Sequence, residues 1–208
     1  MNSLLPLRCI FFSVWVGFTF SSSGAVYQNS FGVGRVTGQP GVNYAIGATT
    51  QPGNTGDGAG LLLFVDSNLL MRPIDGTAGI GHAWYKTLDG RVIDPAFVAA
   101  NSPFAQVTNI VDFSGQIQLT LGGTFLLGFW LEASGDNIPG PGDRFGWARL
   151  RYTAANGLTL VDNAIESTGA GIIAGTTTAV PEPSPSLLLS ALLGLGLSRR
   201  LRLEWKPS

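Results

Sequence analysis

The chain is poor in the residues on which most enzyme and nucleic-acid-binding chemistry depends. Of its 208 residues, one is cysteine, one is histidine and only 12% are charged. The cysteine, Cys9, lies in a segment that we expect to be removed, which excludes a disulfide framework, a thiolate nucleophile and a cysteine zinc site from the mature chain. Residues 26–180 carry seven basic and eleven acidic residues, a net charge of −4, which argues against a nucleic-acid partner.

Helix-forming residues are scarce as well. Glutamate occurs four times and lysine twice, whereas glycine occurs 29 times. This balance, together with many threonine, valine, leucine and phenylalanine residues, favours strands joined by tight turns. We predict no cofactor.

The first 25 residues have the pattern of a secretory signal peptide. Arg8 supplies a positive charge, residues 10–20 form a mostly apolar run, and Ser23 and Ala25 put small side chains where a signal peptidase reads them. We therefore expect cleavage after Ala25. The alternative is an N-terminal membrane anchor, although the run is shorter than the roughly 20 residues that a spanning helix needs.

The chain ends in a three-part pattern. A proline-rich motif comes first, an apolar run over residues 187–197 predicts a short hydrophobic helix, and a basic cluster follows. Proline keeps the motif extended, and basic residues hold such a tail on the cytoplasmic side of a membrane. The residues that form the motif and the cluster are Pro181, Glu182, Pro183, Arg199, Arg200 and Arg202. This pattern resembles the PEP-CTERM sorting signal of Gram-negative bacteria.

The resemblance implies a route for the protein. An exosortase would act near Pro181-Glu182-Pro183 on a precursor tethered to the inner membrane, and the product would reach the cell surface or the extracellular matrix. Two features depart from the family: the apolar run has only 11 residues, and the tail continues beyond Arg202 to Ser208. An ordinary C-terminal membrane anchor is the alternative.

Between signal peptide (1–25) and sorting region (179–208), residues 26–178 are predicted to form one all-β domain, an antiparallel, jelly-roll-like β-sandwich. Three dipeptides typical of tight hairpins separate strand-like runs. They are Asp89-Gly90, Gly122-Gly123 and Asn156-Gly157.

Alternation of apolar and polar residues in the body indicates sheets with one buried face and one face in water. Residues 125, 127, 129 and 131 share an apolar face, as do residues 148, 150 and 152. Within the body, a short helix is predicted over residues 94–101, starting at Asp94 and ending near Asn101.

Residues 125–175 carry a second resemblance, to the C-terminal β module of many PEP-CTERM proteins. The matching features are Phe145-Gly146-Trp147, Ala164-Ile165-Glu166 and Ile172-Ile173-Ala174-Gly175, with Ile165 where the family usually has tyrosine. The resemblance implies location and fold, and it implies a structural hydrogen-bonding role for Glu166.

Catalytic patterns are weak. The single histidine, His82, precedes Asp94 in an order that occurs in thiol-dependent enzymes, but the mature chain has no cysteine nucleophile, and Gly-x-Ser-x-Gly is absent. Glu132 and Glu166 could form the carboxylate pair of a glycoside hydrolase, although the sequence does not set their separation. We predict no catalytic residues and interpret His82 as a strand residue bonded to a neighbour.

Two binding hypotheses remain. Asp136, Asn137 and Asp143, in the loop over residues 134–143, could offer oxygen ligands to calcium, although Asx turns explain the same residues. Trp84, Trp130 and Trp147 could form a platform for sugar stacking, although large aromatic side chains also fill sandwich cores.

The sequence therefore favours a non-enzymatic surface or matrix protein of structural or adhesive role. Its expected partners are signal peptidase, exosortase and, before processing, the membrane. One alternative is a carbohydrate-binding module that contacts exopolysaccharide, and a second is an extracellular hydrolase.

Overall fold

The computed structural model of the chain describes residues 26–28, 30–37, 41–49, 58–78, 81–133, 135–140 and 142–180. These residues belong to one unit that runs from Ser23 to Pro181. The predicted cleavage site at Ala25, the helix predicted over residues 187–197 and the residues predicted for sorting lie outside the described residues. The residues predicted for sorting are Pro181, Glu182, Pro183, Arg199, Arg200 and Arg202.

The described strands form two large antiparallel sheets and one small one. With strands numbered in chain order, the first sheet has the order β1 (Val26–Tyr27), β13 (Gly157–Glu166), β12 (Arg144–Thr153), β11 (Thr124–Leu131), β6 (His82–Thr87), β8 (Ala105–Val107) and β9 (Val111–Asp112). The second has the order β10 (Ile117–Gln118), β5 (Leu70–Ala78), β4 (Gly58–Val65), β3 (Tyr44–Thr49) and β2 (Phe31–Arg35). The small sheet pairs β7 (Val92–Ile93) with β14 (Ile172–Ile173).

The main core lies between the two large sheets. Leu127, Phe129 and Leu131 of β11 point into it, as the alternation predicted. From the second sheet come Ile46, Leu61, Leu63 and Met71, each at most 2% exposed. Trp84 packs against Phe129 with 5.2 Å between ring centroids. The prediction of a mostly β, antiparallel fold is confirmed.

The outer face of the first sheet is also buried, which corrects the prediction of one face in water. Leu126, Trp130 and Trp147 pack there against Ile93 and Phe97 in a second apolar cluster. Alternation along a strand shows which residues share a face, but it cannot show that distant segments cover that face. Here β7, β14 and a short helix form this covering layer, which we call the outer layer.

The helix of the outer layer, α1 (Pro95–Ala100), confirms the predicted helix over residues 94–101. The side chain of Asp94 caps it by accepting the backbone N–H of Phe97 at 2.7 Å. At the other end, Asn101 Nδ2 donates to the carbonyl of Phe97 at 2.6 Å. Capping at both ends allows six residues to hold a helical turn.

One of the three predicted hairpins is confirmed. Asn156-Gly157 lies where β12 turns back into β13, with Thr153 paired to Gly157. Asp89-Gly90 and Gly122-Gly123 do form turns, with φ of 75° at Gly90 and 77° at Gly122. However, the first leads from β6 to β7, which pairs with β14, and the second leads from one large sheet to the other. Residues that favour a turn determine where the chain reverses, but they do not determine which strand the following segment pairs with.

Within the described ranges, no helix is long and apolar enough to cross a membrane.

Close packing of β12 on β11 generates a stability prediction. A Cβ added at Gly146 would lie 2.3 Å from Phe129 Cζ and 2.8 Å from the carbonyl oxygen of Ala164. We expect Gly146→Ala to lower the free energy of unfolding by about 1–3 kcal/mol, since the core must shift to admit the methyl group. Urea unfolding measures the change. The matched control is Gly32→Ala, where no atom lies within 4 Å; equal losses in the two variants would contradict the packing.

Candidate functional site: the C-terminal hook

Glu166, the last residue of β13, is a carboxylate with no exposed surface. Its Oε1 accepts the backbone N–H of Thr168 at 2.6 Å and also the hydroxyl of the same residue. Its Oε2 accepts the N–H groups of Gly169 at 3.0 Å and Gly171 at 3.3 Å. Since a buried carboxylate is costly unless its oxygens are hydrogen-bonded, these donors make its position tenable. The structural hydrogen-bonding role expected for Glu166 is confirmed.

The loop that Glu166 organises opens the last segment of the body. We call residues 167–180 the C-terminal hook. Gly169 and Gly171 have φ of 88° and 91°, a conformation that side chains rarely adopt. A Cβ at Gly171 would also lie 2.7 Å from the carbonyl oxygen of Ile93. Glycine at position 171 therefore permits both the turn and the close approach of the loop to β7.

Hydrogen bonds along the hook join it to the outer layer, to the first sheet and to itself. Ala174 exchanges backbone hydrogen bonds with the turn before β7, donating to Arg91 at 2.8 Å and accepting from Gly90 at 2.9 Å. Trp147 Nε1 donates to the carbonyl of Thr176 at 2.7 Å. The N–H of Val180 donates to the carbonyl of Gly171 at 3.0 Å. The chain is thus held in place up to the residue before Pro181.

An ion-pair network covers the middle of the hook. Arg149 Nη2 lies 2.7 Å from Asp89 Oδ1, and its Nε lies 3.3 Å from Asp162 Oδ1. The guanidinium carbon also lies 5.8 Å from the ring centroid of Trp147. A Cβ at Gly175 would lie 2.0 Å from Asp89 Oδ1, so glycine is needed under this network. No sequence pattern pointed to the network, because its members are far apart along the chain.

The N-terminal strand joins the same place. Val26 pairs with Glu166 and Tyr27 pairs with Ile165, so β1 lies along the end of β13. The side chain of Val26 is partly buried against the outer cluster. Both ends of the described body therefore meet at Glu166: one through the strand ladder, the other through the loop.

The three tryptophans do not form a sugar-stacking platform, and that prediction is wrong. Trp84 has no exposed surface, and Trp130 and Trp147 are each 2% exposed. Trp84 fills the core between the sheets, whereas the other two lie under the outer layer. The indole N–H groups of Trp130 and Trp147 also bond within the body. Trp130 Nε1 donates to Asp143 Oδ2 at 2.8 Å, and Trp147 Nε1 donates to the hook.

The hydrogen bonds of the loop over residues 134–143 favour the Asx-turn explanation over the calcium hypothesis. Asp143 has no exposed surface, and its oxygens accept the N–H groups of Ala133 at 2.8 Å and Gly140 at 3.0 Å as well as the indole of Trp130. Asp136 Oδ1 accepts the N–H of Ile138 at 2.9 Å, and Asn137 Oδ1 accepts that of Asn109 at 2.9 Å. Donors therefore surround the oxygens that a cation would need. Among the residues described, no three His, Cys, Asp or Glu side chains are grouped to hold a metal.

The remaining catalytic candidates serve separate structural roles. Glu132 is 6% exposed and accepts the N–H of Asn137, and β12 lies between its strand and that of Glu166. His82 lies in β6, paired with Leu131 and Val107 and packed edge-on against Trp84. Asp94, the proposed partner of His82, caps α1. Each carboxylate is thus bonded to the backbone of its own neighbourhood.

Comparison with protein-family models gives no match, and comparisons with curated proteins and with solved structures give none either. The resemblance to PEP-CTERM proteins therefore stays a prediction from the sequence.

Removing the carboxylate of Glu166 should loosen the hook. We expect Glu166→Ala to lower the free energy of unfolding by about 3 kcal/mol, because buried N–H groups lose their acceptor. Urea unfolding checks this. In the control Asp75→Ala, an exposed carboxylate loses only the N–H of Gly76, and we expect a change of about 0.5 kcal/mol or less. A loss in Glu166→Ala no greater than in this control would contradict the role of Glu166.

The loop of Asp143 should not respond to calcium. Its oxygens are already bonded to N–H donors, so we expect the same Tm in the presence of calcium chloride and of a chelator. Differential scanning calorimetry checks this, with Asp136→Ala as the comparison variant. A rise in Tm with calcium that Asp136→Ala abolishes would restore the metal hypothesis.

Proposed function

We propose that the chain is an exported, non-enzymatic surface or matrix protein of a Gram-negative bacterium, sorted by an exosortase. In this proposal residues 26–178 form a jelly-roll-like sandwich between a signal peptide, removed after Ala25, and a sorting region over residues 179–208. The supporting observation is that Val180, which is hydrogen-bonded to Gly171, directly precedes Pro181-Glu182-Pro183.

The position of Val180 suits a sorting signal. A membrane enzyme that cuts near a motif needs that motif extended, and the prolines favour extended backbone. The hook meanwhile is bonded to the first sheet through Trp147 and to the turn before β7 through Ala174. A cut after the hook would leave these bonds in place.

The use of the buried carboxylates supports a structural role for the body. Glu132, Asp143 and Glu166 each accept backbone N–H groups at the end of a strand or in a loop. General acid or base catalysis needs a carboxyl group within reach of substrate and free to exchange a proton. Both alternatives lose the residues on which they rested, the indoles for carbohydrate binding and the glutamate pair for a hydrolase.

Intact mass spectrometry of the protein from an exosortase-bearing host tests the proposal. Membrane and medium fractions are analysed separately. We expect the main species to lack residues 1–25 and everything after about Pro183, because the signal peptide and the sorting signal are both removed in the family that the sequence resembles.

A motif variant and a matched control sharpen this test. Replacing Pro181, Glu182 and Pro183 together with alanine should leave residues 187–208 attached and keep the protein in the membrane fraction. Replacing Ser184 and Ser186 with alanine, which changes the same linker outside the motif, should leave processing intact. If the unaltered chain keeps residues 187–208 in the membrane, sorting is refuted and an ordinary C-terminal anchor stands in its place.

A further inference from the structure

The outer layer carries an apolar surface beside the hook. Helix α1 has no polar side chain, and Ala96, Ala99 and Ala100 are exposed on it. Val92 of β7, which lines a pocket with α1, is 36% exposed, and Leu88, directly before the turn from β6 to β7, is 74% exposed. An open pocket of roughly 390 Å³ joins α1 to the turn before β7. We call these five exposed residues the outer surface. Single exposed apolar residues are common, but a grouped set marks a contact surface.

The charges around the outer surface favour contact with a bilayer. Arg91 lines the pocket, with its guanidinium carbon 5.8 Å from the ring centroid of Phe97. The two nearby carboxylates are already engaged, Asp89 with Arg149 and Asp94 at the cap of α1. Apolar side chains flanked by an arginine suit the interface of a membrane that contains anionic lipid.

Short tethers would bring this surface to the membrane in the precursor. The hook begins at the end of β13, includes β14, which pairs with β7 of the outer layer, and ends at Val180. From Val180 to Leu187, where the apolar run starts, the chain reaches at most about 25 Å. While the signal peptide is still attached, the chain reaches at most about 21 Å from Phe20, at the end of the N-terminal apolar run, to Val26. Val26 pairs with Glu166 beside the start of the hook, so both tethers leave the body from neighbouring points.

We propose that the outer surface rests on the lipid bilayer while the precursor is tethered. The inference depends on the proposed function, since it takes the apolar run over residues 187–197 to lie in the membrane. The surface then sets the orientation of the body: the outer layer faces lipid and the second sheet faces away. Release by processing would free the same surface.

Fluorescence quenching by brominated lipid tests the orientation. The full chain, with Cys9→Ser, receives one cysteine for an environment-sensitive probe by Ala99→Cys, Ala155→Cys or Ser190→Cys. It is reconstituted into vesicles of phosphatidylethanolamine and phosphatidylglycerol with brominated acyl chains. Position 99 reports the outer surface, position 155 reports the exposed β12–β13 turn, and position 190 reports the apolar run.

We expect quenching at positions 190 and 99 and none at position 155. Adding Leu88→Glu with Ala96→Glu should remove the quenching at position 99 and keep it at position 190, because the glutamates are repelled by anionic lipid. The matched control, Leu121→Glu, changes another exposed leucine, one that lies before the turn into β11, and should leave all three signals unchanged.

Other results overturn the proposal in distinguishable ways. Quenching at position 190 without quenching at position 99 refutes the bilayer contact and leaves the proposed function standing. Position 99 shielded from aqueous iodide but not reached by bromine means that a protein, such as a second copy, covers the surface. Equal quenching at positions 99 and 155 means unspecific adsorption. An absence of quenching at position 190 would show that the apolar run does not lie in the membrane, which refutes both proposals.

Discussion

The arrangement of both ends of the described body depends on the hydrogen bonds that the buried carboxylate of Glu166 accepts. It sits at the end of β13, opposite Val26 in the strand ladder, and its oxygens accept N–H groups from the first residues of the hook. A carboxylate without exposed surface is tolerable only with such donors around it. The loop and the carboxylate stabilise each other, because the carboxylate fixes the loop and the N–H groups of the loop replace the water that the buried carboxylate has lost.

The first sheet, to which Glu166 belongs, is covered on both faces. On the inner side it packs against the second sheet, and on the outer side it carries α1, β7 and β14. Burial on both sides explains why β11 carries no charged residue and why the large aromatic side chains lie inside. It also explains the close-packed glycines, since Gly128 leaves room for Ile93 and Gly146 leaves room for Phe129.

Local patterns predicted local structure well. The alternation in β11 assigned the correct face to Leu127, Phe129 and Leu131, and Asp94 with Pro95 marked the start of α1. Glu166 was expected to be structural from its place in a resembling motif, and its hydrogen bonds agree.

The predictions that failed are those that depend on which distant segments of the chain pack together. The glycines at positions 122 and 123 correctly predict a turn, but the strands on either side of it belong to different sheets. Trp130 and Trp147 lie on the face of the sheet that alternation left mixed or polar, and the cluster that buries them includes the distant residues Ile93, Phe97 and Ile172. The ion pair between Arg149 and Asp89 spans 60 positions of the chain, and a single sequence carries no signal for it.

Hydrogen bonds hold the hook to the body up to Val180, so that the motif proposed for sorting follows directly on an anchored residue. Hydrogen exchange of the full chain, resolved to single amides by NMR, tests it most directly. We expect the amides of Gly171, Ala174 and Val180 to be protected like amides in β12 and β13, because each donates a hydrogen bond within the body. Exchange of these amides at the rate of an unstructured peptide, with β12 and β13 still protected, would show that the hook is not held to the body.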